Sequence, residues 1–488
     1  MSTVVVGYGM AGARLASELH ARDRDRTVTV FGAEPHRAYN RILLSSLLAG
    51  KLSETEVELT EPAGRGLDLR LGVEVIAIDP ARRTVSTVDG VFGYEHLVLA
   101  TGSGATLPPI DGLTLPLPER VSVFRTLDDC RRILHCADKS ASAIVLGGGL
   151  LGLEAARGLA LRGLSVQVVH AVGHLMERQL DPDASDVLVR TLNGLGVVVH
   201  LAAATARVDA GADGVAVSLA DGTRLTADLF VVACGTRPEA GLARAAGLAV
   251  ERGVVVDDQL RTSDPRIFAI GDCAQHAGVV GGLVAPAWEQ ARVVADLITT
   301  AAPHTRYRPT PPVTRLKATG IDLAAMGEST ERDGELLTFA DPARGTYAKL
   351  LVRDNRLAGA IMLGDNPSVG QVIQLFDRGT PVPEDRRSLL LGRAIGGSAT
   401  PVADSPALIP DAATVCQCNT VSKGALVAAW RAGAQSVAEV VAATRATTGC
   451  GSCQDAVCGL VDWLSTVDST GSQGSAVGPA RNAPGEAA

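Results

Sequence analysis

An α/β fold is expected: two Rossmann-like parallel-sheet units, a small α/β third domain and a small helical C-terminal module. Three observations predict it. A turn spaced Gly-x-Gly-x-x-Gly follows an apolar run at residues 4–6 and recurs after a second run at 143–146. Each turn leads into a helical pattern and then another apolar stretch. Near the far end, two close pairs of cysteines stand apart from the other five.

The first turn reads Gly7-Tyr8-Gly9-Met10-Ala11-Gly12, with a helical pattern over 13–20. Gly7 permits the tight turn, Gly9 lets a pyrophosphate approach the backbone, and Gly12 allows the helix to pack closely on the strand. Free N–H groups at the helix start, around Met10 and Ala11, face the phosphates. That attraction is only ~0.3–1 kcal/mol per exposed charge, so a tight nucleotide needs many other contacts. Glu34 lies 22 residues after Gly12, beyond a second strand at 27–31, and is placed to accept from a ribose hydroxyl. A lone glycine fingerprint is a weak signal; strand, helix, second strand and acid together point to a dinucleotide site.

The totals bound the rest. With 488 residues the chain holds three or four domains at ~100–200 residues each. A net charge of −8 favours neither nucleic acid nor an anionic membrane as partner. Apolar residues make up 46% and aromatics 3%, so the core is built from Ala, Val and Leu, as suits buried parallel strands. No basic segment precedes the first strand, so no cleavable signal is expected. No glycine-free apolar run approaches the ~20 residues of a spanning helix. The expected location is cytoplasmic, where nine cysteines argue for metal or redox work over structural disulfides.

After Glu34 comes Pro35-His36-Arg37-Ala38-Tyr39-Asn40-Arg41, then an apolar helix to Leu48. Strands follow at 73–78 and 97–99. The second ends in Ala100-Thr101-Gly102, a small turn able to pass close to a cofactor. Leu107-Pro108-Pro109-Ile110-Asp111-Gly112 is a rigid exit and marks a boundary. The second turn carries Gly147, Gly149, Leu151 and Gly152, with a helix over 153–161. Its next strand, 165–169, ends in His170. An acid there would indicate NAD and a basic cluster NADP; His170 is neither, so NADH and NADPH both stay open. His170 reads as a strand-end histidine beside a nucleotide, with no catalytic role.

Two fingerprints imply two dinucleotides, by the usual pairing a resident flavin and a visiting nicotinamide. No cysteine precedes Cys130, so the early dithiol of a flavin disulfide reductase is missing. A strand over 228–238 leaves the second unit through Ala233-Cys234-Gly235. Another, over 267–270, ends in Gly271-Asp272. That acid either binds a sugar-alcohol chain such as a ribityl or caps a helix. Further strands are expected at 347–352 and 357–363, with Lys317 and Asp322 as solvated surface charges. The segment 395–410 is rich in Gly, Ser, Ala and Pro and reads as a linker; residues 468–488 read as a disordered tail.

The cysteine module holds Cys416-Gln417-Cys418, then 31 residues, then Cys450-Gly451-Ser452-Cys453. Short helices are expected over 423–434 and 437–444, and the two pairs converge as four thiolates. Gly449 and Gly451 let backbone N–H groups turn toward anionic sulfur. Two disulfides do not suit the cytosol. Structural zinc matches the ligand count, but Cys-x-Cys is unusual spacing for it. A [2Fe–2S] cluster suits a flavin neighbour best. Cys130 and Cys136 lie on different faces of one helix, no Cys-x3-Cys follows them, and Cys458 is expected in the core.

Gly7, Gly9 and Gly12, Ala100-Thr101-Gly102, Gly147, Gly149 and Gly152, and Ala269-Ile270-Gly271-Asp272 together resemble the pyridine-nucleotide FAD oxidoreductases. Leu175-Met176-Glu177-Arg178-Gln179-Leu180-Asp181 and Ala38-Tyr39-Asn40-Arg41 resemble the flavin half of large assimilatory nitrite reductases and nitrate reductase electron-transfer subunits. The match covers roughly residues 3–390. It implies that Arg41, Val75, Thr101, Asp272 and the Trp288-Glu289-Gln290 segment touch FAD, and that Glu154 lies near the nicotinamide. Ala33 stands where relatives often carry a first acid, and Asn40 replaces a common Asp. The C-terminal module resembles the bacterioferritin-associated-ferredoxin-like [2Fe–2S] domain, including Asn419, Val421 and Thr448-Gly449-Cys450-Gly451. For the third region the resemblance implies a small α/β domain packed against the flavin unit.

The expected domains are an FAD-binding domain at 1–112 and 245–305, an NAD(P)-binding domain at 113–244, a small α/β domain at 306–394, a linker at 395–412 and a [2Fe–2S] domain at 413–467. The expected activity is NAD(P)H-dependent electron transfer through FAD and the cluster to a separate nitrate or nitrite reductase catalytic subunit. The alternatives are a reductase for a rubredoxin- or ferredoxin-like carrier, and a redox-sensing binding protein. No general base, nucleophile or triad is expected.

Overall fold

Val4, Val5 and Val6 are almost fully enclosed, as a strand covered on both faces requires. Their strand, Ser2–Val6, is the centre of a five-stranded parallel sheet. The order is Ile267–Ala269, His96–Leu99, Ser2–Val6, Thr27–Gly32, Leu67–Leu71. The chain therefore leaves this sheet and returns to it some 170 residues later, as the split first domain requires. The computed structural model describes residues 2–59, 66–328, 333–366, 368–391, 406, 409–416, 421–447 and 453–471. It divides into two compact units, 1–397 and 398–488.

The second parallel sheet repeats the plan in the order Val197–His200, Ser165–Val169, Ser142–Leu146, Leu229–Val232, Val121–Val123. The strand expected at 73–78 forms as Val75–Asp79, but in a separate antiparallel sheet with Thr84–Thr87 and Gly90–Gly93. Its second and third residues, Ile76 and Ala77, are both exposed, Ile76 at 59%, so the run cannot sit inside a covered parallel sheet.

The third domain is a five-stranded antiparallel sheet, ordered Val313–Leu316, Leu323–Gly327, Arg356–Leu363, Thr346–Arg353, Glu335–Asp341, with helix Val369–Arg378 packed on it. It docks on the second parallel-sheet unit, and its first residues also meet the flavin unit, where the Tyr307 N–H donates to the Asp258 carbonyl at 2.7 Å and Thr310 Oγ1 to Glu289. Asp181 caps helix Pro182–Gly194 through the Ala184 N–H and also accepts from Tyr347 Oη (2.9 Å) and Lys349 Nζ (2.6 Å). One apolar cluster then runs through Leu44 and Leu48, Leu153 and Leu188, and Leu316 and Leu363. Each such side chain contributes about 1.5–3 kcal/mol by leaving water.

In the C-terminal unit, strands Thr414–Cys416 and Val421–Ser422 pair antiparallel. Helices Lys423–Arg431 and Val437–Thr444 follow, capped by Ser422 and Ser436. Helix Gln454–Gly471 runs past 468, where the tail was expected to begin. Its Val457, Leu460, Val461 and Leu464 are buried, as are Leu426, Trp430 and Val440. Cys458 on that helix is only half-buried, short of the core position expected. The linker expected at 395–412 falls mostly outside the described residues, as does the tail beyond 471. Among the described residues no helix is long and apolar enough to cross a membrane.

Candidate cofactor sites

The two glycine turns are built alike. Gly7 has φ +109°, and a Cβ there would strike the Ala100 carbonyl; Gly147 has φ +123° and faces the Ala233 carbonyl in the same way. A Cβ on Gly12 or Gly152 would strike the carbonyl of Gly7 or Gly147. These four glycines hold each turn against its own sheet. Gly9 and Gly149 differ. Both have ordinary extended backbone, and both look onto open space: only Arg41 Nε lies within 4 Å of a Cβ on Gly9, and nothing on Gly149. Each is the N-cap of its helix and supplies no side-chain cap. The opening beside each helix start is what a pyrophosphate requires.

Arg41 lies over the Tyr39 ring, 5.0 Å from its centroid, beside the first opening. Its guanidinium pairs with Glu34, whose other oxygen accepts from Tyr39 Oη at 2.7 Å. Burial, together with the Glu34 charge, raises the Tyr39 phenol well above its ordinary value, so it stays a donor. Glu34, expected to serve a ribose without a second acid at Ala33, also anchors the cation at the phosphate opening. Asp272 does not cap its short 3-10 turn, Gly271–Cys273. It accepts from Ser103 Oγ (2.7 Å) and Arg125 Nη2 (2.8 Å). The Gly271 N–H donates to Gln290 Oε1 at 2.7 Å, and Gly271 sits against Ala11. Trp288 is buried, with its indole N–H on the Met10 carbonyl. Glu289 accepts from Thr310 on the connection to the third domain. Trp288 and Gln290 thus brace the helix start and the Asp272 turn from behind. Val75 is buried at the head of its antiparallel strand.

Between the units, Thr101-Gly102 and Cys234-Gly235 hold matching positions, with φ +72° at Gly102 and +88° at Gly235. The strands they open, Ser103–Ala105 and Thr236–Pro238, pair antiparallel. Thr101 Oγ1 donates to the Glu239 carbonyl at 2.6 Å. Burial pushes the Cys234 thiol up to about 11, which keeps it protonated and inert.

On the second helix, Leu151 is half-buried and Glu154 is almost wholly enclosed. Glu154 Oε1 accepts the Lys317 N–H at 3.0 Å, and Ser45 donates from the first unit. Burial raises the Glu154 carboxyl in spite of those bonds and the nearby Lys317 charge. Lys317 is therefore no solvated surface charge: it is half-buried, with its ammonium turned inward beside Glu154. Asp322 is exposed as expected. His170 packs under the second turn, where its Nδ1 accepts the Gly148 N–H at 3.1 Å.

In the C-terminal unit, Cys416 and Cys453 are both buried, at 1% and 6% exposure. Cys418 and Cys450 lie outside the described residues. Two enclosed thiols in a small helical module are the donor type a [2Fe–2S] cluster takes. Cys130 and Cys136 share helix Leu127–Ala137, one buried and one half-buried, as different faces demand. Burial pushes Cys130 up to about 12.

Sequence reasoning missed Arg125 and Ser103. Arg125 follows a strand of the second unit yet reaches Asp272 and Ser103 of the first. Its only sequence signal is its place beside the capping box of Thr126 and Asp129, which speaks of a helix start and not of a site.

Residues 1–300 match the family described as pyridine nucleotide-disulphide oxidoreductase. Residues 312–379 match the rubredoxin NAD+ reductase C-terminal domain, and 414–463 the BFD-like [2Fe-2S] binding domain. The chain is 35% identical over 474 residues to the assimilatory nitrate reductase electron transfer subunit of Bacillus subtilis (strain 168), covering 96% of this chain and 60% of that one. It is also 35% identical over 462 residues to the nitrite reductase [NAD(P)H] of the same organism, covering 93% and 56%. It thus spans little more than half the length of these relatives. Among solved structures, the covalent putidaredoxin reductase–putidaredoxin complex aligns with a TM-score of 0.71 and 28% identity, covering 78% of this chain and 94% of that one.

Proposed function

The chain belongs to the pyridine nucleotide-disulphide oxidoreductase family, with FAD, NAD(P)H and a [2Fe–2S] cluster as its cofactors, and from that premise we propose how it uses them. The first unit holds FAD, the second receives NAD(P)H, and the C-terminal module carries electrons out to a separate assimilatory nitrate or nitrite reductase in the cytoplasm. The observation that carries this reading is the joining, in one chain, of two open glycine turns and a thiolate module. FAD, when bound, would take two electrons as one hydride and pass them on singly, which is what links a nicotinamide to an iron–sulfur cluster.

The chain's own residues do the rest. Gly9 and Gly149 leave room for the two pyrophosphates. Arg41 meets phosphate charge, and Asp272, steadied by Arg125 and Ser103, accepts from the flavin's sugar-alcohol chain. Glu154 and Lys317 place a carboxyl and an ammonium where the second unit meets the third domain. Cys416, Cys418, Cys450 and Cys453 supply four thiolates. No side chain is asked to act as nucleophile or general base.

The test supplies NADH or NADPH to the purified protein together with an assimilatory nitrate or nitrite reductase, and separately with a rubredoxin-like carrier. Product from the reductase is expected. Reduction of the carrier alone would move the reading to a carrier reductase, which the match over 312–379 also supports. Metal analysis finding zinc without iron would remove the cluster from the route.

A further inference from the structure

His170 occupies the strand end where an acid would hold the adenosine ribose of NADH. Its ring is nearly enclosed, with a side-chain exposure of 10%. Its orientation is set from below: Nδ1 accepts the Gly148 N–H, so the ring proton sits on Nε2. A Cβ on Gly148 would press on this ring and on Leu175, so the turn and the histidine are packed as one piece. Nε2 is buried and has no hydrogen-bond partner of good geometry among the described residues. It faces Glu177 Oε2 at 3.3 Å, and Glu177 is the more open partner at 38%. The strand end therefore does present a carboxylate, carried in by the following loop and set against an imidazole.

We infer that Glu177, positioned by His170, is the group that reads the adenosine ribose, and that the protein takes NADH in preference to NADPH. The inference rests on the reading that the second glycine turn receives the nicotinamide dinucleotide. A ribose 2′-hydroxyl can donate to the Glu177 carboxylate. A 2′-phosphate would bring a second anion against that carboxylate beside a ring whose position the Gly148 N–H already dictates. Exposed Arg178 is the adjacent cation, and it is the residue that would reverse the preference if it turned toward the same spot.

Two measurements test this. The first is calorimetric binding of 5′-ADP and of 2′,5′-ADP to the purified FAD-loaded protein, which needs no turnover. 5′-ADP is expected to bind about tenfold or more tightly than 2′,5′-ADP. Glu177→Gln should bring the two within about threefold, and His170→Ala should do the same by freeing Glu177. Glu177→Asp should keep the order. The second is flavin reduction by NADH and by NADPH, read separately as KM and kcat. The preference should lie in KM, because Glu177 touches only the adenosine end. Tighter binding of 2′,5′-ADP by the parent protein, lost in Arg178→Ala, overturns the inference. So does an unchanged ratio in Glu177→Gln. Should neither coenzyme reduce the flavin and neither adenylate bind, the underlying placement of the nicotinamide site fails instead.

Discussion

At the residue scale, the glycines of one motif do two different jobs, and substitution separates them. Gly7 has positive φ and no room for a Cβ against the Ala100 carbonyl, so Gly7→Ala is expected to cost about 2 kcal/mol or more of stability. Gly9 and Gly149 have extended backbone and open space, so valine there should leave the fold within ~1 kcal/mol of the parent. Their effect falls on the ligands. Gly9→Val should purify colourless, while Gly149→Val should purify yellow but resist reduction by NAD(P)H; the reverse pattern would exchange the two sites. Arg125 offers a second check. Its guanidinium bonds Ser103 and Asp272 across the two parallel-sheet domains. Loss of a charge-assisted bond of ~1.5–3 kcal/mol should weaken FAD retention about tenfold in Arg125→Ala, measured by flavin release on dilution. Unchanged retention would make Arg125 a purely structural tie.

At the scale of elements, the third domain is fastened by a nearly buried ion pair. Asp181 caps one helix while Tyr347 and Lys349 hold it from the facing sheet, and the pair's side chains are only 9% and 13% exposed. Burial alone would raise the Asp181 carboxyl, but the bonds from Lys349, Ala184 and Tyr347 outweigh it and hold it below its ordinary 3.8. A depressed carboxylate contributes stability above its unfolded value and loses it as pH falls through the folded one. The docking should therefore be intact at neutral pH and fade below about pH 4, seen as a rise in amide exchange along Thr346–Arg353. Lys349→Met leaves Asp181 buried without its cation and should cost about 3 kcal/mol. The double variant Asp181→Asn with Lys349→Met keeps the cap and should recover most of that loss; if it recovers none, the pair is not the fastening.

At the scale of the whole molecule, the two compact units divide the labour. Both glycine turns, Arg41, Asp272 and Glu154 lie in 1–397, and the paired cysteines in 398–488. Cys450→Ser removes one of the four proposed thiolates, and three rarely retain a normal cluster. The variant should keep FAD, be reduced by NAD(P)H at near the parent rate, and still reduce ferricyanide. Transfer to the proposed nitrate or nitrite reductase partner should collapse. Parent-rate transfer in this variant would place the cluster off the pathway.

Much of this was legible in the chain because the signals are local. Gly-x-Gly-x-x-Gly after a valine run, helices at Val437–Thr444 and Leu150–Leu161, and the four paired cysteines each follow from short-range backbone geometry and ligand spacing. The cofactor set followed from those motifs and from the resemblance they carry. What only the tertiary structure decided depends on residues far apart in sequence. Arg125 meets Asp272 across 147 positions, and Asp181 meets Lys349 across 168. Lys317 turned from surface charge to partner of Glu154 because its backbone N–H lands on that carboxylate 163 residues away. His170, neither acid nor base by its letter, acquires Glu177 only once the loop folds back over the strand end. Periodicity records which face of an element is buried, but the identity of the charge waiting across the interface is set by packing alone.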